Sequence, residues 1–85
     1  MKWFIVVLML GVNTDGTRDT FVYTQPKFDT VDACQEYVYI NSRQMGRAMM
    51  QEFQGKQIEN VYCIQKDKLE RLFELELDIK SGTHI

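Results

Sequence analysis

Little in this chain of 85 residues lends itself to catalysis. A single histidine, His84, lies next to the end, where nothing holds an imidazole still enough to serve as a general base. One histidine and two widely separated cysteines, Cys34 and Cys63, fall short of the roughly four ligands a zinc site needs. Without a C-x-x-C pair, a dithiol redox motif is also missing. The five glycines are scattered and form neither a Walker loop nor a dinucleotide fingerprint. An excess of positive charge is lacking too: 10 Lys and Arg face 12 Asp and Glu, a formal net charge of −2, so no overall field draws in a nucleic acid. No apolar run approaches the roughly 20 residues of a membrane span. These gaps predict a protein with no catalytic residue, cofactor or metal, no nucleic-acid partner and no membrane span.

What the chain does have is the composition of a small globular domain, 45% apolar and 26% charged. A domain of this length buries only about 60% of the surface its unfolded form exposes. Residues 1–80 are expected to form one domain, with 81–85 as a loose tail.

After Met1-Lys2, the run from Trp3 to Val12 is nearly all apolar and rich in β-branched and aromatic residues, the signature of a strand buried on both faces. It resembles the start of a secretory leader, but the small residues of a cleavage site do not follow it, so a cytoplasmic protein is expected, with export as the alternative. Asp15-Gly16 predicts a two-residue hairpin. In that register Leu10 lies opposite Phe21 and Leu8 opposite Tyr23, placing Phe4, Val6, Leu8, Leu10, Phe21 and Tyr23 on one face and Trp3, Ile5, Val7, Met9, Val22 and Thr24 on the other.

Asp29 or Thr30 caps a helix expected over 30–53, with Cys34, Tyr37, Val38, Met45, Ala48 and Met49 along its apolar stripe. Tyr39 and Met50 fall on the far side with Arg43. Twenty-four residues of helix would span about 36 Å, longer than a compact body of this size, so a break near Asn41-Ser42 or an overhang is expected. Gly46 inside the helix suggests a close backbone approach. Arg43, Arg47 and Lys56 read as solubilising charge. Ile58–Gln65 predicts a third strand. Beyond it, Asp67, Leu69, Leu72 and Phe73 fit a helix over 67–76, while the alternation from Phe73 to Lys80 offers a fourth strand instead. The fold class is therefore α+β: ββαβ, with a three-stranded, largely antiparallel sheet, one long helix on one face and a short C-terminal helix.

Two reduced, buried cysteines are the leading expectation for Cys34 and Cys63, and a disulfide between them is the alternative. A strand apolar on both sides leaves one face to be covered by the tail or by a partner. Self-association is the simplest cover, and Trp3, Ile5, Val7, Met9, Val22, Tyr39 and Met50 are the candidate interface.

The opening Met1-Lys2-Trp3-Phe4 with its apolar run, Phe28-Asp29-Thr30 with Cys34, and Cys63-Ile64 ahead of Asp67-Lys68-Leu69 together resemble short proteins of marine cyanophages and ocean metagenomes that carry no assigned activity. The resemblance implies a phage origin and no residue role. The leading expectation is a non-enzymatic, homo-oligomeric interaction protein acting on a host or viral protein. The alternatives are a small-molecule-binding domain of dimeric α+β type, its pocket lined by Tyr37, Tyr62 and methionines between sheet and helix, or an exported disulfide-bonded protein.

Overall fold

The structure, a computed structural model, describes residues 2–72 and 77–82. The apolar run forms β1 (Trp3–Met9) and the next strand is β2 (Arg18–Phe28). Two helices follow, α1 (Val31–Ile40) and α2 (Ser42–Glu52), then β3 (Ile58–Gln65), α3 (Lys66–Leu72) and β4 (Leu77–Gly82). Among the described residues the sheet runs β3-β1-β2-β4. The expected three-stranded antiparallel unit, β2-β1-β3, is present, and β4 adds to it in parallel alongside β2.

The β1–β2 register differs from the expected one. Phe21 pairs with Val7 rather than Leu10, and Tyr23 with Ile5 rather than Leu8, an offset of three residues. The connection is longer than a two-residue hairpin. Gly16 N–H donates to Asn13 O (2.9 Å) and Asn13 N–H to Thr17 O (2.7 Å), while Leu10 N–H bonds to Gln57 O (2.8 Å) and so leaves the β1–β2 ladder. Gly16 still fills the position that needs positive φ, at 87°. Because three is odd, the offset turns β2 over relative to β1. Phe21 and Tyr23 join Ile5, Val7 and Met9 on one face, while Val22 joins Phe4 and Val6 on the other.

Thr30 caps α1, its hydroxyl oxygen accepting from Ala33 N–H at 3.1 Å. The expected break falls at Asn41. Its backbone N–H makes the last i, i−4 bond of α1, to Tyr37 O (3.0 Å), and its side-chain amide donates to the same carbonyl (2.9 Å). The chain then restarts as α2, which carries Met45 and Met49 onto the sheet, with Phe53 just beyond it. With Cys34 they complete a core on Ile5, Val7, Met9, Phe21 and Tyr23. The Phe53 ring meets that of Phe21 edge-on at 6.4 Å.

No close backbone approach explains Gly46: a Cβ there meets nothing within 4 Å. Gly46→Ala is therefore expected to stabilise the protein by about 0.5–1 kcal/mol, the helix-propensity difference, read as a higher urea midpoint.

The two alternatives for the C-terminal region occur in succession. A helix ends at Leu72 and a strand begins at Leu77; the expected helical residues 73–76 lie outside the described residues. Ser81 and Gly82, expected in a loose tail, belong to β4, and 83–85 lie outside the described residues. Glycine suits position 82 because a Cβ there would come within 2.6 Å of Cζ of the buried Phe21 ring. Leu69 of α3 is buried against Phe4, Val6 and Val22, and Lys27 lies over the Phe4 ring at 5.8 Å. The second face of β1 is thus covered from within the chain.

Candidate functional site

The densest polar cluster sits at the end of the sheet, where the β1–β2 loop meets the segment ahead of β3. Asp19, at the start of β2, is 9% exposed. Lys56 Nζ donates to Asp19 Oδ2 (2.6 Å) and to Asn13 Oδ1 (2.8 Å). Asn13 Nδ2 in turn donates to Asp19 Oδ1 (3.0 Å) and Thr17 Oγ1 (3.1 Å). Arg18 pairs with Glu59 across to β3 and donates to Met9 O (3.2 Å). A largely buried carboxylate needs this compensation, and both of its oxygens are spent on it, so the cluster acts as a clasp between loops rather than as an acid or base. Lys56, read from sequence as solubilising charge, belongs to this clasp. Asp15, at the loop tip, accepts from the Thr17 hydroxyl (2.6 Å) and N–H (3.0 Å), and these bonds hold its carboxyl below the usual range.

The sulfurs of Cys34 and Cys63 are bonded, with the Cα atoms 6.1 Å apart, in place of the expected reduced pair. Spacing alone could not decide this, because it depends on α1 crossing β3 at this point. The bridge ties the first turn of α1 to the edge strand. That edge is guarded as well. Lys66 N–H bonds to Lys2 O, so the even-numbered residues of β1 are those that bond β3, and the Val61 N–H points outward. Asn60 Oδ1 accepts from it at 2.9 Å, occupying a donor that an incoming strand would use.

Tyr23 is fully buried, and its hydroxyl has no hydrogen-bond partner among the described residues. Burial, with Tyr37 nearby, pushes its pKa up to about 12. The folded state therefore keeps the phenol proton in a range where the unfolded chain, near 10.0, has released it. Stability is fully present below pH 10 and declines as pH rises towards 12, by roughly 1.4 kcal/mol per pH unit. Tyr23→Phe is expected to remove this alkaline loss. At neutral pH it should leave stability unchanged or raise it by about 1 kcal/mol, because an unsatisfied buried hydroxyl is deleted. Urea titrations of parent and variant at about pH 8 and about pH 11 check both expectations; a variant markedly weaker at the lower pH would mean that the hydroxyl has a partner.

The candidate interface is dispersed by the β1–β2 register. Ile5, Val7 and Met9 are 0% exposed beneath the helices, so they are core and not interface. Val22 is buried on the opposite face, against Phe4 and Val6. Trp3 is partly buried and packs on the helix-side core. Only Tyr39 and Met50 stand exposed, at 83% and 50%. The pocket expected between sheet and helix does not assemble from its named residues. Tyr37 packs on Phe28 with ring centroids 5.3 Å apart, Met45 and Met49 fill the core, and Tyr62 lies on the other face, opposite Val6.

A different concavity opens at the outer corner where α1 gives way to α2, an open groove of about 680 Å³ lined by Tyr39, Ile40, Asn41, Arg43 and Arg47 among others. Ile40 is 69% exposed. Arg43, Arg47 and Met50 follow one helical stripe at i, i+4 and i+7, so an exposed strip, basic and then apolar, leads from the groove along α2. Sequence patterning flagged Tyr39, Met50 and Arg43 as facing away from the core but missed Ile40, which stands at the end of α1 where the helical stripe is broken.

Among the described residues no group of three or more His, Cys, Asp and Glu side chains is placed to hold a metal, and no helix is long and apolar enough to cross a membrane. His84 lies outside the described residues. The chain matches no protein-family model, no curated protein and no solved structure.

Proposed function

We propose that this chain is a small non-enzymatic interaction protein that works through the outer corner of α1 and α2. The observation that carries this reading is the exposure of Tyr39 and Ile40, 83% and 69%, beside an open groove on the side of the helices that the core does not use. Adjacent large apolar side chains in water contribute nothing to this fold, and such patches on small domains commonly mark contact surfaces. The partner is a host or viral protein in the setting that the cyanophage resemblance implies. The sequence argument for self-association weakens here, since both faces of β1 are covered from within the chain: Ile5, Val7 and Met9 by α1 and α2, and Phe4 and Val6 by Leu69 of α3.

A benzophenone amino acid at position 44, which lines the groove, is expected to crosslink to a discrete partner in expressing cells. The same group at position 71, on α3 across the sheet, should not. Tyr39→Ser/Ile40→Ser should abolish the crosslink while changing stability by less than about 0.5 kcal/mol. An unchanged crosslink, or a large fall in stability, would assign these side chains to another role.

The disulfide favours a second element of the proposal, an exported protein. Such bonds persist in oxidising compartments and are rare in the cytosol. The apolar run at the start is itself the central strand β1 and so is part of the fold. Acid-quenched alkylation of cell extracts without reductant tests the compartment: alkylated Cys34 and Cys63 would place the protein in a reducing one.

A further inference from the structure

We infer that the α1–α2 corner recognises an acidic protein segment that carries an apolar anchor. This rests on the proposed interaction role and adds the chemistry of what is bound. Every charged side chain lining the groove is cationic, Arg43 and Arg47, in a chain whose net charge is −2, so the positive potential is local to this corner. Like charges at i, i+4 disfavour a helix, and a surface shaped only for solubility would set a carboxylate beside one of them. Neither arginine is ion-paired among the described residues, and the first turn of α2 has no acidic residue. Two guanidinium forks four residues apart suit carboxylates, which they can engage bidentately, while Tyr39, Ile40 and Met50 offer apolar contact on either side.

Other occupants fit less well. A second copy placed symmetrically on this corner would bring arginines against arginines, a like-charge contact that costs affinity. A nucleic acid calls for a longer basic stripe than two arginines, because its affinity grows with the number of phosphates neutralised.

The probe is a fluorescein-labelled amphipathic peptide with leucine at each helical turn and glutamate at the other positions, titrated into the full chain by fluorescence anisotropy. Its glutamine and lysine analogues and a labelled oligothymidylate serve as comparisons. The glutamate peptide is expected to bind at least about tenfold more tightly than the glutamine analogue, a factor worth about 1.4 kcal/mol. Binding should weaken with salt, and Arg43→Glu/Arg47→Glu should reverse the preference towards the lysine analogue. Equal binding of the glutamate and glutamine peptides, both lost in Tyr39→Ser/Ile40→Ser, would overturn the acidic preference and leave the contact surface standing. Binding insensitive to both double variants would overturn the surface as well. Tighter binding of the oligothymidylate would replace the acidic partner with a phosphate one.

Discussion

Replacing Cys34 and Cys63 together by alanine is expected to cost about 3.6 kcal/mol, the loop-closure entropy returned to the unfolded chain when a cross-link spanning about 29 residues is removed. The bridge encloses most of α1, all of α2 and the first part of β3, the segment that contains the outer corner. Without it, α1 is held to the sheet by Tyr37 against Phe28 and by the packing of Cys34 itself, which is fully buried. Domains of this size have total stabilities of order 5–15 kcal/mol, so the loss is a large share. It corresponds to a fall in melting temperature of roughly 15–30 °C. Circular-dichroism melts of the parent with and without a thiol reductant, beside the double alanine variant, separate the cross-link from the packing. Reduced parent and variant should melt close together and well below the oxidised parent. A reduced parent melting within about 3 °C of the oxidised one would show that the bond carries less than 1 kcal/mol.

The elements that could be read from sequence are those fixed by local chemistry. Ile58–Gln65 is a strand with the expected limits because its alternation is short and bounded on both sides. Thr30 caps α1 and Asn41 marks the helix break, and each side chain hydrogen-bonds a backbone group within four residues of itself. What local pattern could not fix was relative placement. Leu10 is as apolar as Leu8, and nothing in either residue says which leaves the ladder. That was decided by Gln57, distant in sequence, whose carbonyl takes the Leu10 N–H. One odd offset then moved Ile5, Val7 and Met9 from the interface to the core. The C-terminal region was ambiguous for a related reason: its alternation suits a strand only if an edge is free to receive it, and β2 supplies that edge in parallel.

The same distinction applies to the candidate site. The outward turn of Tyr39 and Met50 was visible as a departure from helical period, and the arginines were visible as charge. The meeting of Tyr39 with the two arginines at one groove depends on how the chain passes from α1 to α2 at Asn41, which sequence suggested only as a break. Lys56, grouped with those arginines by charge alone, is claimed by Asp19 across a separation of 37 residues.

Leu69→Ala is expected to cost about 2–4 kcal/mol, the range for deleting three buried side-chain carbons and leaving part of the cavity open. Leu69 is 8% exposed and is the α3 residue in the cluster with Phe4, Val6 and Val22. Those three belong to β1 and β2, so α3 covers the sheet face opposite α1 and α2, a face that would otherwise need a partner. If that cover is what keeps the face from water, weakening it has a second consequence. The variant should self-associate with rising concentration, in sedimentation velocity, more than the parent does, because an apolar sheet face newly open to solvent seeks a partner. Leu69→Met, which nearly conserves volume, should lose less than about 1.5 kcal/mol and associate no more than the parent. An alanine variant as stable as the parent would mean that α3 is not the cover of that face.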